Sequence, residues 1–299
     1  SRDEHKQYEM EHELNSRGHK NVRFFIGDIR DRDRLNMALR GVDIVIHAAA
    51  LKHVPTAEYN PFECIHTNII GAENIASASI HCGVKQVIAL STDKAASPLN
   101  LYGASKLASD KIFVAANHLS GSGGCRFSVV RYGNVINSRG SVIPFFKKLL
   151  DEKSTFLPIT DERMTRFWID LQQGVEFVLS SLEYMRGGEI FVPKIPSMKI
   201  TDLALAMAPE LPHKIVGIRP GEKIHEVMIT EDDARYTVEY PDRYIIEPSY
   251  TLWSKNRSEE SVKSQSILNK KMPEGFRYSS DINEQWIDGE TMQKLISTI

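Results

Sequence analysis

The chain has 299 residues, 41% of them apolar and 25% charged, with a formal net charge of −2. That make-up suits a globular protein large enough for one or two domains, and its balanced charge argues against a nucleic-acid binder, so any anion site must be local. No apolar run approaches the roughly 20 residues of a membrane-spanning helix, and Cys64, Cys82 and Cys125 lack metal-ligand spacing, which points to reduced thiols in a cytoplasmic protein with no metal and no membrane partner.

The opening "SRDEHKQYEM" is charged and has no signal-peptide pattern. "VRFFIGD" predicts a strand ending at Asp28, and "RDRLNMALRG" a short helix closed by Gly41. "VDIVIHAAA" predicts the next strand. "PFECIHTNIIGAENIASASIHCG" predicts a helix from Pro61 to Gly83, with Ile65, Ile69, Ala72 and Ala76 on one face. "KQVIALS" is a strand, "YGASKLASDKIFVAANHL" a helix and "RFSVVRYGN" a strand. Helices over "VIPFFKKLL" and "QQGVEFVLSSLEYM", a strand in "GGEIFVPK" and a strand running into the turn of "KIVGIRPGEKIHE" follow. The polar run from Ser254 to Lys271 predicts a surface excursion.

Strands rich in Val and Ile without polar alternation predict an α/β fold, a doubly wound parallel sheet covered by helices on both faces. Ligands on such sheets bind at the carboxyl ends of the strands. Unusual residues stand at those ends: Asp28, His47 to Ala50, Ser91 to Lys94, and Tyr132 to Asn134.

Tyr102 and Lys106 are four apart and share one helix face. An ammonium beside a phenol favours phenolate, which makes a proton acceptor of a group with an ordinary pKa of ~10. The same spacing also occurs on a plain surface helix. Asp28 suits either an adenine amino group or the N-cap of the helix starting near Arg32. Thr92 can bond a substrate hydroxyl, Asp93 if protonated can donate to a leaving hydroxyl, and Lys94 if neutral can remove a carbon-bound proton. That role needs Lys94 depressed by burial and by neighbouring cations, Lys106 among them. The alternative is an exposed Asp-Lys loop pair. Arg163 and Arg166, and Arg219 with Glu222 and Lys223, suit anion contacts or surface salt bridges. Lys52 and His53 follow the "HAAA" strand toward the same crevice, although His53 equally suits a helix start.

Together these residues resemble the extended short-chain dehydrogenase/reductases, and within them the inverting UDP-N-acetylglucosamine 4,6-dehydratases of pseudaminic acid biosynthesis. The resemblance rests on "SRDE", "RFFIGDIRD", "IHAAALKHVPTAEYNP", "ALSTDKAASPLNLYGASK", "VVRYGNV", "SRGSVIPFFKK", "ITDERMTRFWI", "GGEIFVPKIPSMKITDLA", "GIRPGEKIHEVM" and "YSSDINEQW". It covers nearly the whole chain and is weakest after Ser254.

The resemblance implies a Rossmann-type NADP domain over 1–140, with return segments around 167–195, and a smaller UDP-sugar-binding domain over 141–299. It implies that the family's opening strand and GGTGSFG loop are missing, so that the chain is N-terminally shortened by roughly 30 or more residues. It implies oxidation at C4 with Tyr102 taking the hydroxyl proton, removal of the C5 proton by Lys94, and loss of the 6-hydroxyl assisted by Asp93. Hydride then returns to C6 and C5 is reprotonated on the opposite face, with Tyr102 the candidate donor, giving UDP-2-acetamido-2,6-dideoxy-β-L-arabino-hex-4-ulose.

The resemblance also assigns binding positions. Ser1, Arg2, Asp3, Glu4, His5 and Lys6 lie by the adenosine phosphate, with Arg2 facing the 2′-phosphate, and Asp28 and Ile29 line the adenine. Ala48, Leu90 and Ser91 border the cofactor, with Tyr102 and Lys106. Val135, Ile136, Asn137, Ser138 and Arg139 approach its nicotinamide side. Lys52, Asn134, Val142, Thr160, Arg219 and Glu222 contact the sugar nucleotide, and Gln285 and Trp286 close over it. A homo-oligomer is implied as well. Tyr102 stands where retaining relatives carry methionine, and epimerases generally lack the Asp-Lys pair. The competing readings are a UDP-sugar 4-epimerase, a retaining dehydratase, or a non-catalytic nucleotide-binding protein on this fold.

Overall fold

The computed structural model describes residues 1–249 and 270–297. The first part of the chain holds α1 (Glu4–Ser16), α2 (Arg32–Ala38), β1 (Ile44–His47), α3 (Val54–Tyr59), α4 (Pro61–Ile65) and α5 (Gly71–His81). Next come β2 (Gln86–Thr92), α6 (Leu101–Ser120), β3 (Arg126–Tyr132), β4 (Asn134–Val135), α7 (Val142–Asp151), β5 (Leu157–Ile159), β6 (Thr165–Ile169) and α8 (Leu171–Tyr184). The remainder holds β7 (Ile190–Pro193), β8 (Ser197–Lys199), α9 (Ile200–Met207), β9 (His213–Ile215), β10 (Val227–Ile229), α10 (Glu231–Ala234), β11 (Thr237–Glu239) and β12 (Arg243–Ile246). Beyond residue 269 lie β13 (Lys270–Lys271), β14 (Tyr278–Ser279) and α11 (Gly289–Ser297).

Seven strands form the main sheet, in the order β1-β2-β3-β7-β12-β11-β13. β1, β2, β3 and β7 run parallel, as the unalternated apolar strands predict. β12, β11 and β13 extend the sheet antiparallel. That extension comes from late in the chain, and no local pattern announces it. Phe113, Phe127, Val87, Val129 and Val192 fill one face, while Ile88, Val130 and Phe191 pack with Phe177 and Val178 of α8 on the other. A second core joins α7, β5, β6, α9 and α11 through Ile143, Phe146, Leu157, Trp168, Leu203 and Met292.

Two local expectations are corrected. The segment "VRFFIGD" is not a strand. A strand needs a hydrogen-bonded neighbour along its length, and this segment meets only Ser1, through Gly27 N–H to the Ser1 carbonyl (3.0 Å) and the Ser1 ammonium to the Phe25 carbonyl (3.3 Å), besides a local Asp31 N–H to Asp28 carbonyl bond (3.0 Å). Side chains also serve its carbonyls: Gln7 donates to Phe25 (3.0 Å) and Arg34 to Ile26 (2.8 Å). The helix from Pro61 is interrupted by a π-helical turn at His66–Ile70. The extra residue turns Asn68 inward, where it bonds both backbone groups of Leu51 (2.8 and 2.9 Å) and the Ser105 hydroxyl (2.9 Å). The loop after β1 is thereby fastened to α6. The excursion expected from Ser254 lies outside the described residues up to residue 269.

Candidate active site

β2 ends at Thr92 and passes directly into one 3-10 turn, Asp93–Ala95, where the Thr92 hydroxyl accepts from Lys94 N–H (3.3 Å). α6 starts just beyond, with the Asn100 side chain accepting from Gly103 N–H (2.8 Å). Asn100 also donates to the Gly221 carbonyl (2.8 Å), which ties the turn around Arg219–Lys223 to the head of this helix. Gly103 is where α6 meets the 3-10 turn. A Cβ there would stand 2.3 Å from the Lys94 carbonyl oxygen, so only glycine permits this approach. The approach brings Tyr102 beside Thr92, Asp93 and Lys94.

Asp93 is fully buried. Its Oδ1 accepts from the Thr92 hydroxyl (2.9 Å) and from Lys94 Nζ (3.1 Å). Lys94 Nζ also lies 3.1 Å from Glu226 Oε1, and Glu226 is itself buried. Arg166 Nε stands 3.6 Å from the same carboxylate. The second oxygens, Asp93 Oδ2 and Glu226 Oε2, are buried and take no hydrogen bond from the described residues. Lys106 Nζ donates to the Leu90 carbonyl (2.7 Å).

These contacts set the protonation states. Burial pushes the Asp93 carboxyl above the ordinary range; the Lys94 charge pulls it back, and the Glu226 charge pushes it further up. Burial thus favours the protonated form of Asp93. Lys94 is not neutral. Burial works against its charge, but the Asp93 and Glu226 carboxylates outweigh burial and hold it above the ordinary lysine range. The expectation of a depressed Lys94 overlooked Glu226. Glu226 resists burial because Lys94, Arg166 and Lys223 surround it, and its pKa falls.

Burial likewise pushes the Tyr102 phenol up to about 12, against the opposing Lys94 charge and the Thr92 hydrogen bond. The cation acting on Tyr102 is thus Lys94, where Lys106 was expected. Burial, opposed by Asp110, lowers Lys106.

The other expected positions divide. Lys52 feels burial and the Lys94 charge, both lowering its pKa, so it faces the same cluster. Ala48 to Ala50 are exposed at the end of β1, beside the loop that carries Lys52. The Ser91 hydroxyl turns away to Asp110 (2.9 Å), which Arg131 also meets (3.3 Å). Asp28 accepts from the Arg30 side chain (2.8 and 2.9 Å) and lies 3.5 Å from Arg2. Asp28 is not the helix cap, because Asp31 caps α2 through Arg34 N–H. Asp3 caps α1, which leaves Glu4, His5 and Lys6 exposed in its first turn. Ile29 is half-buried.

Asn134 and Val135 pair with Trp168 and Ile169, and Ile136 buries its side chain in the second core. Asn137 adopts a left-handed backbone (φ 58°), turning the chain through Ser138 and Arg139 toward Val142 at the start of α7. Thr160 follows β5 and is half-buried. Arg219 is exposed and lies 3.8 Å from Glu222. Gln285 and Trp286 pack along β8, where the Gln285 carbonyl accepts from Ser197 N–H (2.8 Å) and Trp286 Nε1 donates to the Asn283 carbonyl (2.7 Å). His53 caps α3 without a side-chain bond to the helix backbone.

Of the two arginines expected at an anion, Arg163 pairs with Asp161 (2.8 Å). Arg166 donates to the carbonyls of Thr165, Ile224 and Lys223 (2.7, 3.0 and 3.0 Å). Arg166 is thus a buried brace for Glu226. An arginine set in the "TRFWI" strand, which is buried throughout, is the sequence signal that could have found this buried ion pair.

Residues 1–248 match the family described as polysaccharide biosynthesis protein. Over 297 residues the chain is 59% identical to the UDP-N-acetylglucosamine 4,6-dehydratase (inverting) of Campylobacter jejuni subsp. jejuni serotype O:23/36 (strain 81-176), covering 99% of this chain and 88% of that protein. The chain belongs to this dehydratase family and is a hydro-lyase.

Other relatives of these dehydratases are more distant. The UDP-glucose 4-epimerase of Rickettsia typhi is 44% identical over 237 residues, 78% of this chain and 68% of that one. Pen from Bacillus thuringiensis, solved by X-ray, superposes with a TM-score of 0.86 at 36% identity, covering 99% of this chain and 87% of its own. The dTDP-glucose 4,6-dehydratase DesIV of Streptomyces venezuelae, solved with NAD and TYD bound, gives a TM-score of 0.63 at 25% identity over 69% of this chain and 70% of its own. The Rossmann-type sheet expected of the dehydratase family is the one observed. No helix among the described residues is long and apolar enough to cross a membrane.

Proposed function

We propose that the chain dehydrates UDP-N-acetylglucosamine with inversion at C5, using NADP, to UDP-2-acetamido-2,6-dideoxy-β-L-arabino-hex-4-ulose, the opening step of pseudaminic acid biosynthesis. The observation that carries this reading is the buried Asp93–Lys94 pair beside Tyr102 at the end of β2. An epimerase needs a phenol to move the proton of one hydroxyl. It does not need a second acid and base, because no C–O bond breaks. The 59% identity to an inverting dehydratase supports the same choice.

The site residues fit a nicotinamide dinucleotide. Lys106 uses one ammonium donor on the Leu90 carbonyl, which leaves two N–H groups suited to ribose hydroxyls. Ala48 to Ala50 and Leu90 would border the cofactor, with Asp28 and Ile29 toward its adenine and Arg2 toward a 2′-phosphate. When bound, the nicotinamide supplies hydride acceptance and return, so the overall reaction is redox-neutral.

The chain's own groups handle the protons. Tyr102, with Lys94 as its neighbouring cation, is placed to take the proton of the 4-hydroxyl. A 4-ketone acidifies the C5 hydrogen, and Lys94 would receive it after its own proton has passed to solvent. Asp93 in its protonated form would give that proton to the 6-hydroxyl as the C6–O bond breaks and water departs. Tyr102, then carrying the 4-hydroxyl proton, would deliver it to C5 on the opposite face, and Lys94 would hand the C5 proton to Asp93, which restores all three groups. Lys52, Asn134, Val142, Thr160, Arg219 and Glu222 are assigned to the sugar nucleotide, with Gln285 and Trp286 at its far edge.

Proton NMR of the product from UDP-N-acetylglucosamine tests the reading. A 6-deoxy methyl signal, with solvent deuterium at C5 and inverted ring couplings, is expected. A 4-epimer, or a methyl product with C5 retained, would overturn it.

A further inference from the structure

Glu226 lies just before β10, far along the chain from the Asp93–Lys94 turn, yet its carboxylate oxygen touches Lys94 Nζ at the same distance as Asp93 does (3.1 Å each). The two carboxylates therefore stand no more than about 6 Å apart, within the range over which like charges move each other's titration. The charged groups facing Glu226 are Asp93 and Lys94 from the 3-10 turn, Arg166 from β6 and Lys223 from the preceding turn. Lys223 itself is anchored by the Ala96 carbonyl (2.6 Å). Glu226 is fixed from behind: its N–H donates to the Ser280 hydroxyl (2.9 Å), and its carbonyl accepts from Ser280 N–H (2.8 Å) and the Ser279 hydroxyl (3.2 Å). The adjacent His225 turns its ring to Thr165 (2.8 Å).

We propose that Glu226 is a positioning residue for the elimination: its carboxylate holds the Lys94 amine at the end of β2 and, as the second negative charge beside Asp93, keeps Asp93 in the proton-bearing form that expels the 6-hydroxyl. Two carboxylates on one lysine cannot share its charge equally. Glu226 has Arg166 beside it (3.6 Å), and Lys223 acts on it ahead of Asp93, whereas Asp93 takes hydrogen bonds from Thr92 and Lys94 alone among the described residues. The ionised role therefore falls to Glu226 and the acid role to Asp93. The proposal rests on the dehydratase reading, but it is a statement about this chain's own protons and can be measured without substrate.

The experiment is a carboxyl NMR titration of Asp93 in the chain labelled with 13C-aspartate, without substrate or cofactor, in wild type, Glu226→Gln, Glu226→Asp and Lys94→Met. Removing the Glu226 charge is expected to lower the Asp93 midpoint by about one pH unit or more, and aspartate is expected to restore part of the shift. Lys94→Met is expected to raise the midpoint, because the two carboxylates then face each other unshielded. Lys94→Met combined with Glu226→Gln carries the test where Glu226→Gln alone fails to fold: the midpoint raised by Lys94→Met is expected to fall back once the Glu226 charge is also gone, and a midpoint that stays raised would overturn the proposal. In turnover, the alkaline limb of kcat for Glu226→Gln is expected to move to lower pH, with KM for UDP-N-acetylglucosamine little changed. An unmoved Asp93 midpoint in folded Glu226→Gln, or an unmoved or lowered one in Lys94→Met, would overturn the proposal. Stability loss with an unmoved pH profile would assign Glu226 to folding alone. A wild-type product without the methyl signal would instead sink the dehydratase reading and leave the titration result standing.

Discussion

Gly103→Ala tests whether the meeting of α6 with the Asp93–Lys94 turn positions the Tyr102 phenol for the proposed reaction. An added Cβ would lie 2.3 Å from the Lys94 carbonyl oxygen, 3.2 Å from its carbon and 3.0 Å from Pro98 Cβ. Atoms at optimal contact stand ~3.5 Å apart, so the head of α6 must retreat by about 1 Å. The two consequences differ in size. Overpacking costs about 1–3 kcal/mol, and alanine returns up to ~1 kcal/mol of helix propensity, leaving a net loss of about 0–2 kcal/mol. A misplacement of about 1 Å between reacting groups lowers turnover by on the order of 100-fold. Urea unfolding and kcat/KM by product NMR measure the two separately. A folded Gly103→Ala chain that turns over near the wild-type rate would refute the reasoning, because the close approach would then be packing alone.

Asp93→Asn is expected to abolish dehydration while stabilising the fold near neutral pH. The folded pKa of Asp93 is raised, so its favourable contribution is present below the free carboxyl value and is lost as pH rises through the folded value. The advantage of the variant in urea melts should therefore grow as pH rises above the ordinary carboxyl range, and a pH-independent difference would contradict the assignment. His47 is buried against Phe113, and burial followed by the Lys106 charge lowers it to about 3. Its contribution is present above the ordinary histidine value and is lost as pH falls toward about 3, so His47→Leu should flatten acid unfolding over that window. Arg2→Ala should reduce preference for NADP over NAD by about tenfold or more, read from cofactor titrations, since a charge-assisted phosphate contact would be lost. Equal preference in wild type and variant would remove Arg2 from that role.

Local pattern made much of the site legible. Apolar strands ending in polar residues marked β1, β2 and β3, and four-residue spacing on a helix marked Tyr102 and Lys106. Asp93, Lys94 and Thr92 were legible because they are consecutive at a strand end. Glu226 was not. It stood in view as the last acid of "GIRPGEKIHEVM", among residues that read as a charged turn. The available signal was a lone acid immediately before the buried "VMI" strand, matched by the lone Arg166 in "TRFWI". Two charges set in apolar strands imply a partner for each.

The sequence by itself determined the groups that stand together at the end of β2 and the head of α6. Spacing and strand ends are local properties, and they place a phenol, an acid and two amines at one edge of a sheet. Tertiary structure alone decided how those groups hold their protons. A pKa depends on burial and on charges within a few ångströms, whatever their separation along the chain. The approach to β10 brings Glu226 to Lys94, which adds to Asp93 in favouring the ammonium of Lys94 and pushes the Asp93 carboxyl up. The missing Cβ of Gly103 lets Tyr102 feel that same ammonium. Lys106, the nearer lysine on the helix face, is directed instead to the Leu90 carbonyl.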